Sequence, residues 1–593
     1  MNKEYDVIVA GLGTAGSIAL ITASKLGLKV LGVEALNTMG GTGTIGGVSG
    51  YYFGSRGGAY ESINNKANDL CKTTGINMYG QDRGIKAHLL EETARKYGAD
   101  ILFNSRIVEV IKNEKAVTGA VVFTKGKQIE FKSRMIIDCT GEAQVCYMAG
   151  CSCTMGRDFD GQTQPYSNMA IYYENDFTGG LNKDSGYVDP NDCGDYTTKV
   201  IDSTALLLKI AENNRKSIKY ITNSPLLGVR QGRTIVGEET VTFKDFINQK
   251  ETQKPVFYAY SNVDNHEKDT AFEDDSLVDW YTGAGLWAIY FSVGVPMGAL
   301  IPKGYKGIIT AGRCMAIEHN ILSCVRMKSD MEKCGEAAAV MVYLALKDNV
   351  DVRDVDYTVL AGMLKETHCL DENNNVGLTK KNDEGQIAPF NWLTDTDEII
   401  NQLKTDKPGV AIWSAKIMGS AVVSELKTYL ESDDLLLKKN AAIALALMGD
   451  DSACPVLREM VLSRDMYIPE TSEKYAQMYG ITAVYLLGRL GDRAIVPTLL
   501  DIIQNDCPID EAGFTPDEFY SNIGDVKFQY ISYALTALKK IGDKHPDLKE
   551  QIKKAVSDKI LQDDYKIYVS LKQNSFVKHD MTDKLKAYVK NYF

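Results

Sequence analysis

A glycine-rich turn close to the start of the chain constrains its fold more than any other feature. The apolar run at residues 6–10 leads into Gly11-Leu-Gly13-Thr-Ala-Gly16, and a helical segment follows. Glycines at this spacing permit a tight turn, close approach of a pyrophosphate and close packing of the helix on the strand. Glu34 ends the next apolar run, 18 positions after Gly16, where a carboxylate can accept hydrogen bonds from a ribose. The pattern predicts a dinucleotide site in a Rossmann-like α/β domain, with the phosphates at the helix N-terminus.

Two further segments favour a flavin dinucleotide. Residues 39–47 read Met-Gly-Gly-Thr-Gly-Thr-Ile-Gly-Gly, and this glycine density suits backbone that packs against a large flat ligand. Residues 305–313 form a second apolar run that ends in Ala-Gly-Arg, and Arg326 and a helix containing Gly335 follow it. A nicotinamide-dependent dehydrogenase has no need of this second nucleotide-facing segment.

These segments resemble the FAD-dependent oxidoreductases of the glutathione-reductase-like superfamily, nearest the branch of the fumarate-reductase-type flavoproteins. The resemblance covers residues 5 to about 345 and includes the strand ends Ile136–Glu142 and Ala311–Arg313. Glu142 stands where the family more often has Asp. A closer likeness to a subgroup of bacterial flavoproteins rests on residues 227–238, which contain Arg230 and Arg233, and on Asp264-Asn-His266.

The resemblance implies that FAD is bound by residues from both segments. These residues are Gly11, Gly13, Thr14, Ala15, Gly16, Glu34, Ala35, Gly40, Gly41, Thr42, Thr44, Gly46, Val108, Thr140, Gly141, Gly312, Arg313 and Arg326. Val108 is expected to contact the adenine through its backbone. Some relatives attach the flavin to a histidine or cysteine after the second strand, but residues 35–50 contain neither, so we expect non-covalent FAD.

Hydride transfer to or from a flavin needs a group that donates or accepts one proton. The chain has six histidines that could supply such a group. The resemblance places His266 and His319 where the family faces its substrate, and either imidazole could act as the acid or base near neutral pH. Arg230, Arg233 and Arg326 are candidates for binding a carboxylate or other anionic group of a small polar substrate. An ion pair or a pyrophosphate contact is the alternative role for Arg326. The direction of the reaction stays open.

Composition limits the possible partners and surroundings. The net charge of −12 and the isoelectric point of about 5.3 disfavour a nucleic-acid partner. The N-terminus leads directly into the first predicted strand, so we expect no signal peptide and a cytoplasmic protein. Residues 281–302 carry no charge, but repeated glycines and a proline favour buried strands and turns over a membrane span.

The twelve cysteines contain no C-x-x-C motif and no histidine cluster beside them. We therefore expect no metal site and largely buried thiols. A redox-active pair at Cys151 and Cys153 is the alternative.

After about residue 350 the character of the sequence changes. The stretch Ala441–Asp450 recurs as Ala483–Asp492 and Ala534–Asp543, each with an apolar helical pattern ending in Gly-Asp. This recurrence resembles HEAT repeats, which are helix pairs that bury a face only by stacking on their neighbours. Such repeats could dock a protein partner, form a homo-oligomer or support the main domain.

The predicted architecture combines a two-segment Rossmann-like FAD domain, an inserted α+β substrate domain and an all-α solenoid. The expected ranges are 1–150 and 301–350 for the FAD domain, 151–300 for the substrate domain, 351–408 for a linker and 409–593 for the repeats. The predicted function is FAD-dependent oxidoreduction of a small polar molecule. The alternative is an interaction or electron-transfer protein in which the helical repeats dock a partner.

Overall fold

The computed structural model describes residues 3–76, 78, 80–214, 219–382, 384–470, 476–571 and 574–593. The chain forms two compact units. The first comprises the chain up to Asn265 together with Tyr290–Gly377, and the second comprises His266–Ile289 with Leu378–Phe593.

The described strands are mostly short and fall largely in the first unit. In chain order they are β1 (Glu4–Ala10), β2 (Val30–Val33), β3 (Asp100–Leu102), β4 (Arg106–Asn113), β5 (Ala116–Thr124), β6 (Lys127–Asp138), β7 (Cys153–Met155), β8 (Tyr166–Glu174), β9 (Phe177–Gly186), β10 (Lys219–Asn223), β11 (Arg233–Ile235), β12 (Pro255–Asn262), β13 (Tyr290–Pro296), β14 (Ile308–Thr310), β15 (Leu378–Lys381), β16 (Ile387–Pro389), β17 (Tyr568–Leu571) and β18 (Asn574–Asp580).

The described helices dominate the second unit. In chain order they are α1 (Thr14–Lys25), α2 (Tyr60–Thr73), α3 (Arg83–Lys96), α4 (Gln144–Ala149), α5 (Cys193–Asn214), α6 (Phe243–Ile247), α7 (Asp275–Val278), α8 (His319–Val325), α9 (Lys328–Asp348), α10 (Tyr357–Glu366), α11 (Thr396–Leu403), α12 (Gly409–Met418), α13 (Ser420–Thr428), α14 (Leu435–Leu447), α15 (Cys454–Leu462), α16 (Tyr479–Leu490), α17 (Val496–Gln504), α18 (Ile523–Lys544), α19 (Pro546–Ile560) and α20 (Thr582–Tyr592).

The main sheet of the first unit has the strand order β3-β2-β1-β6-β5-β4, and β14 also pairs with β6. The pairs β3–β2, β2–β1, β1–β6 and β6–β14 are parallel, whereas β4, β5 and β6 form antiparallel hairpins. The end of β1 and all of β2 are buried, as expected for parallel strands covered on both faces. The predicted Rossmann-like α/β fold is confirmed, including the return of the chain to this sheet at β14.

Helices α1 and α9 cross at very close range on this sheet. A Cβ added to Gly335 in α9 would overlap the carbonyl oxygen of Ala15 in α1. A Cβ on Gly16 would overlap the carbonyl oxygen of Gly11. Glycine is therefore required at both positions by backbone packing, and the crossing fixes the first turn of α1 relative to the sheet.

Other parts of the first unit form the region for which a substrate domain is predicted. Strands β10, β8 and β9 form an antiparallel sheet, and β12 and β13 form an antiparallel pair. Residues 351–408, predicted as a linker, include helices α10 and α11 and the strand pair β15–β16. The range predicted as a linker therefore contains short helices and strands between its polar stretches.

Many helices make up the C-terminal part of the second unit, and two of them end where the repeated Gly-Asp signature stands. Gly449 and Gly491 follow α14 and α16 with φ of +84° and +76°, a left-handed conformation that glycine adopts without strain. Gly542 differs from them because it lies inside α18, which continues to Lys544.

Residues 281–302 include strand β13 and a short 3₁₀ turn at Met297–Leu300, in keeping with the predicted strands and turns. None of the described helices combines the length and apolar character needed to span a bilayer. The twelve cysteines are free thiols, including Cys151 and Cys153.

Two helix-interior glycines give opposite expectations on substitution by alanine. Gly335→Ala should destabilise the protein by about 1–3 kcal/mol or more, because the new Cβ meets the Ala15 carbonyl. Gly362→Ala should stabilise it by about 0.5–1 kcal/mol, because the added Cβ meets nothing within 4 Å and helix propensity improves. Thermal unfolding of the two variants measures both effects, and equal melting temperatures would contradict the packing argument.

Candidate functional site

Four parallel strands of the main sheet end along the same edge. Gly11 follows β1, Glu34 follows β2, Thr140 follows β6 and Gly312 follows β14. In open α/β sheets, ligands bind outside the carboxyl ends of the strands. The structure therefore brings the four predicted strand-end segments together at one edge.

The three glycines of the first turn have different surroundings. Gly11 has a φ of +80°, and an added Cβ would lie 2.8 Å from the carbonyl oxygen of Cys139. A Cβ on Gly16 would overlap Gly11 itself. Gly13 caps α1 with a φ of −70°, and a Cβ there would meet nothing within 4 Å. The protein itself does not require glycine at position 13, so the open side of this residue is where a ligand could approach the backbone.

The N-terminus of α1 offers hydrogen-bond donors at the same place. Gly13 makes no side-chain cap, and the amide groups of Thr14, Ala15 and Gly16 belong to the first turn, which has no intrahelical acceptor. The partial positive charge of the helix end adds to their attraction for an anion.

Glu34 lies next to this turn, at the end of β2. Its two carboxylate oxygens accept hydrogen bonds from the amides of Leu12, at 2.5 Å, and Leu36, at 2.9 Å. Burial raises its pKa, whereas these backbone hydrogen bonds and Arg106 oppose the increase. The two backbone bonds hold the carboxylate beside the first turn, and each oxygen retains lone pairs for a ligand hydroxyl.

The second glycine-rich segment packs directly on the first turn. The amide of Gly40 donates to the carbonyl of Leu12 at 2.8 Å, and a Cβ on Gly41 would lie 2.9 Å from the Cα of Gly13. Thr44 donates its hydroxyl to the carbonyl of Met39 at 2.6 Å. Thr42 and Gly46 close the same turn, because a Cβ on Gly46 would lie 2.6 Å from the Cα of Thr42. Ala35 follows Glu34 in the chain and leads toward this segment.

Arg313 links three of the predicted segments. Its guanidinium donates to the carbonyl of Gly141 at 3.1 Å, to the carboxylate of Glu142 at 2.5 Å and to the carbonyl of Val229. Gly312 has a φ of +99°, and a Cβ on it would lie 3.3 Å from the Cβ of Ala15. The turn after β14 therefore lies against the first turn of α1, while Arg313 itself holds backbone together.

Thr140 and Val108 have different surroundings. Thr140 donates to a carboxylate oxygen of Asp138 at 2.7 Å, and the other oxygen of Asp138 accepts from the first amides of α4. Val108 lies in β4 at a bulge, because Ile107 and Glu109 take consecutive partners in β5 and Val108 has none in that ladder. A bulged backbone amide and carbonyl can bind a ligand without breaking the ladder.

Lys328, which the sequence analysis did not identify, lies beside the second glycine-rich segment. Its ammonium nitrogen donates to the carbonyls of Val48, at 2.8 Å, and Ser49, at 3.2 Å. The nitrogen also lies 4.0 Å from the ring centre of Tyr51 and 3.6 Å from the Cβ position of Gly43. Lys328 is the first residue of α9, where the helix dipole disfavours a cation, and this anomaly was the available sequence signal.

The charge near Lys328 is only partly compensated. Glu332, one turn further along α9, accepts from the Tyr51 hydroxyl at 2.9 Å and pairs with Lys86 at 3.2 Å. Asn64 donates to the Tyr51 hydroxyl at 2.8 Å. Burial lowers the pKa of Lys328 to about 7, against the attraction of Glu332. One carboxylate thus faces two lysines here, which leaves positive charge next to Gly43.

Arg230 and Arg326 come together in a buried group of charges. Arg230 pairs with Asp184 at 2.8 Å, and Arg326 pairs with Asp264 at 2.9 Å. Burial lowers the pKa of Arg326, Arg230 lowers it further, and Asp264 and Asp184 oppose the change. Two guanidinium groups and two carboxylates balance each other.

The two predicted histidines fall in different units. His319 begins α8 in the first unit, and its Nδ1 lies 2.8 Å from the side-chain oxygen of Gln231. Because an amide oxygen can only accept, Nδ1 carries a proton, and Nε2 is therefore the ring atom that could exchange a proton with a substrate. His266 lies in the second unit and is buried. Arg233 donates to the carbonyl of Glu142 at 3.1 Å, so it joins the Arg313 group rather than Arg230.

Comparisons with known proteins agree on one class of enzyme. A family profile described as FAD dependent oxidoreductase matches residues 6–214 and 188–364 of the chain. Digeranylgeranylglycerophospholipid reductase 1 of Methanococcoides burtonii is 30% identical over 172 residues, which are 25% of this chain and 41% of that protein. The digeranylgeranylglycerophospholipid reductase of Methanosarcina acetivorans is 31% identical over 169 residues, with the same 25% and 41% coverage. The chain thus matches less than half of the length of these relatives.

A solved structure of a geranylgeranyl bacteriochlorophyll reductase-like protein from Thermoplasma acidophilum is also similar. Its sequence is 16% identical, the match covers 63% of this chain and 86% of that one, and the TM-score is 0.33.

The lowered pKa of Lys328 predicts an unusual reactivity toward amine reagents. Labelling of Lys328 by an N-hydroxysuccinimide ester should increase most steeply with pH below about 7 and level off above it, because half of the amine is neutral at its pKa of about 7 and nearly all of it about one pH unit higher. An ordinary lysine has a pKa of about 10.4, so its labelling should continue to increase with pH. At pH 7 we expect Lys328 to react on the order of tenfold faster, measured by peptide mass spectrometry. A labelling rate that follows the exposed lysines at every pH would contradict the assigned environment.

Proposed function

This chain belongs to the FAD-dependent oxidoreductase family, and we propose that it transfers a hydride between non-covalent FAD and a small polar organic molecule. The observation that carries the proposal is the open side of Gly13 at the N-terminus of α1, next to the carboxylate of Glu34. A pyrophosphate needs close backbone approach and N–H donors, and a ribose needs a carboxylate acceptor, so these residues fit the dinucleotide. FAD supplies the hydride acceptor or donor when it is bound.

In this proposal the residues of both segments hold the cofactor. Thr14, Ala15 and Gly16 donate their amides to the pyrophosphate, and Glu34 accepts from the ribose. The bulge at Val108 offers backbone atoms to the adenine. The remaining proposed contacts come from Ala35, Gly40, Gly41, Thr42, Thr44, Gly46, Thr140, Gly141, Gly312, Arg313 and Arg326. To these we add Lys328, whose ammonium beside Gly43 would face an electron-rich edge of the ligand.

We assign the proton transfer to a histidine, with His319 as the first candidate and His266 as the second. The hydrogen bond from Nδ1 of His319 to Gln231 sets the tautomer, so Nε2 is the atom that takes or gives the proton. Gln231 lies next to Arg230 in the chain, which supports a common role for this segment.

Arg230 and Arg326 are proposed to anchor the substrate. Because Asp184 and Asp264 already balance their charge, the pair favours a neutral polar group or a single carboxylate over a multiply charged anion. The curated relatives are named as reductases, which supports the reductive direction for this chain.

The architecture proposed for the whole chain keeps the predicted ranges for the FAD and repeat domains, and keeps the range of the substrate domain except for His266–Ile289, which folds in the second unit. Helices α14 with α15, α16 with α17 and α18 with α19 support HEAT-like pairing, since each pair is consecutive and two of the first helices end at a left-handed glycine. A closer kinship with the fumarate-reductase branch, a cytoplasmic location and a homo-oligomer also stay predictions.

An absorbance spectrum of the purified protein tests the proposed function most directly. We expect flavin bands that are released into solution by acid denaturation. Anaerobic addition of pools of small polar compounds should bleach these bands with at least one pool, or a pool should reoxidise the dithionite-reduced protein. Absence of flavin bands even after addition of FAD would contradict the proposal.

Gly13→Ala tests the cofactor cradle separately from folding. The added methyl meets no protein atom within 4 Å and the φ of −70° is accessible to alanine, so the variant should fold normally. FAD affinity should decrease at least about tenfold, because the methyl occupies the space of close backbone approach. Gly362→Ala is the control, since its methyl is equally uncrowded but lies in α10. Equal FAD affinity of all three proteins, measured by fluorescence titration, would exclude this cradle.

His319→Gln tests the proton-transfer role once a reacting pool is known. The rate of flavin bleaching or reoxidation should decrease by about 100-fold, which is the lower end of the rate effect expected when a general acid or base is removed. The FAD content of the protein should not change. His545→Gln, in the second unit, serves as the control. Unchanged rates in His319→Gln would move the role to His266, and unchanged rates in both His319→Gln and His266→Gln would exclude either histidine as the acid or base.

A further inference from the structure

The connection between β12 and β13 is far longer than a hairpin requires. Asn262 pairs with Tyr290 at the end of this antiparallel ladder, where two to five residues ordinarily suffice. Instead residues 263–289 intervene, and His266–Ile289 folds as part of the second unit. We call His266–Ile289 the inserted segment.

The inserted segment begins with four consecutive ionisable residues that are all buried. His266 is 6% exposed, and Glu267, Lys268 and Asp269 are 0% exposed. Removing charged groups from water is costly unless each is held by partners, and a loop that merely closed a hairpin would keep such residues in solvent. Buried ionisable groups concentrate at functional sites, so this run is a candidate for more than structure.

Helices of the C-terminal part hold this charged run directly. The ammonium of Lys584, in α20, lies 2.5 Å from the carboxylate of Asp269. Gln529, in α18, donates its side-chain amide to the carbonyl of Lys268 at 2.5 Å. The ammonium of Lys268 lies 4.4 Å from the ring centre of Phe519.

One tyrosine of α18 fastens two turns of the inserted segment to each other. The hydroxyl of Tyr533 lies 2.9 Å from the hydroxyl of Thr270 and 2.6 Å from that of Thr282. Thr482, in α16, donates to the carbonyl of Thr282 at 3.0 Å. The start and the end of the segment are therefore fixed by the same helices.

The middle of the segment is anchored by a buried carboxylate. Asp279 accepts from the hydroxyl of Tyr485 at 2.7 Å and pairs with Arg489 at 2.5 Å and Lys416 at 2.7 Å. The neighbouring Trp280 packs edge to face on Trp413, with ring centres 4.9 Å apart. Two helices, α12 and α16, thus converge on one short turn.

From these contacts we propose that the C-terminal helices position the charged run His266–Asp269 within the second unit. Lys584 and Tyr533 are then positioning residues. This proposal depends on the proposed function in one respect, namely that His266 takes part in proton transfer.

Hydrogen exchange of the full-length protein tests the proposal. Lys584→Met should increase the exchange rate of amides in residues 266–272 on the order of tenfold, because Asp269 loses its ion pair with Lys584. Tyr533→Phe removes only a hydroxyl and leaves the side-chain volume nearly unchanged. It should increase the exchange rates at residues 270 and 282 to a similar extent. The NMR chemical shifts of the His266 ring, recorded at one fixed pH, should change in both variants, and Lys584→Arg should restore the native behaviour.

Matched controls separate positioning from general stability. Tyr530→Phe removes a hydroxyl from the same helix α18 that has no hydrogen-bond partner among the described residues. Lys590→Met removes a lysine from the exposed face of α20. Neither control should change the exchange rates or the NMR chemical shifts of the His266 ring. If Lys584→Met and Tyr533→Phe behave like the controls, the helices do not position the charged run.

The flavin spectrum keeps the two proposals apart. A native protein that binds no flavin would contradict the proposed function. The hydrogen-exchange measurement would still show whether the helices position the charged run.

Discussion

Contact between backbones at the carboxyl edge of the sheet is the constraint on which the rest of the first unit depends. Gly16 lies against Gly11, Gly335 against Ala15, and Gly11 against Cys139, at separations that leave no room for a side chain. These contacts bring α1, α9 and two strand ends together around one helix N-terminus. The same compactness leaves the side of Gly13 open, and this opening makes the edge suitable for a nucleotide.

Buried charges on α9 form the second level of organisation. Asp330 accepts from the amides of Ser55, at 2.9 Å, and Tyr260, at 3.1 Å, while Lys333 donates to the carbonyl of Tyr258 at 2.6 Å. These bonds attach α9 to the segment after the glycine-rich loop and to strand β12. Because α9 also crosses α1 and begins at Lys328, a single helix links the proposed cofactor edge to the hairpin that carries the inserted segment.

Much of the fold and cofactor site was predictable because it follows local rules. The Rossmann-like sheet, its second segment at β14 and the FAD cofactor were predicted from glycine spacing, apolar runs and a resemblance that these motifs carry. Lys328 and the inserted segment were missed. The hydrogen bond between Tyr51 and Glu332 joins residues 281 positions apart, and that between Thr270 and Tyr533 joins residues 263 positions apart. A local sequence pattern cannot predict contacts at such separations.

The sequence alone determined where the chain must turn tightly and which strands must be buried, because steric limits on glycine and apolar periodicity act over a few residues. The class of cofactor was indicated by the family resemblance that these motifs carry. Only the tertiary structure decided which charges are paired, that Arg313 holds backbone segments together, and that His266 folds with the C-terminal helices. Such pairings depend on burial and on distances between remote segments, and both arise only when the chain is folded.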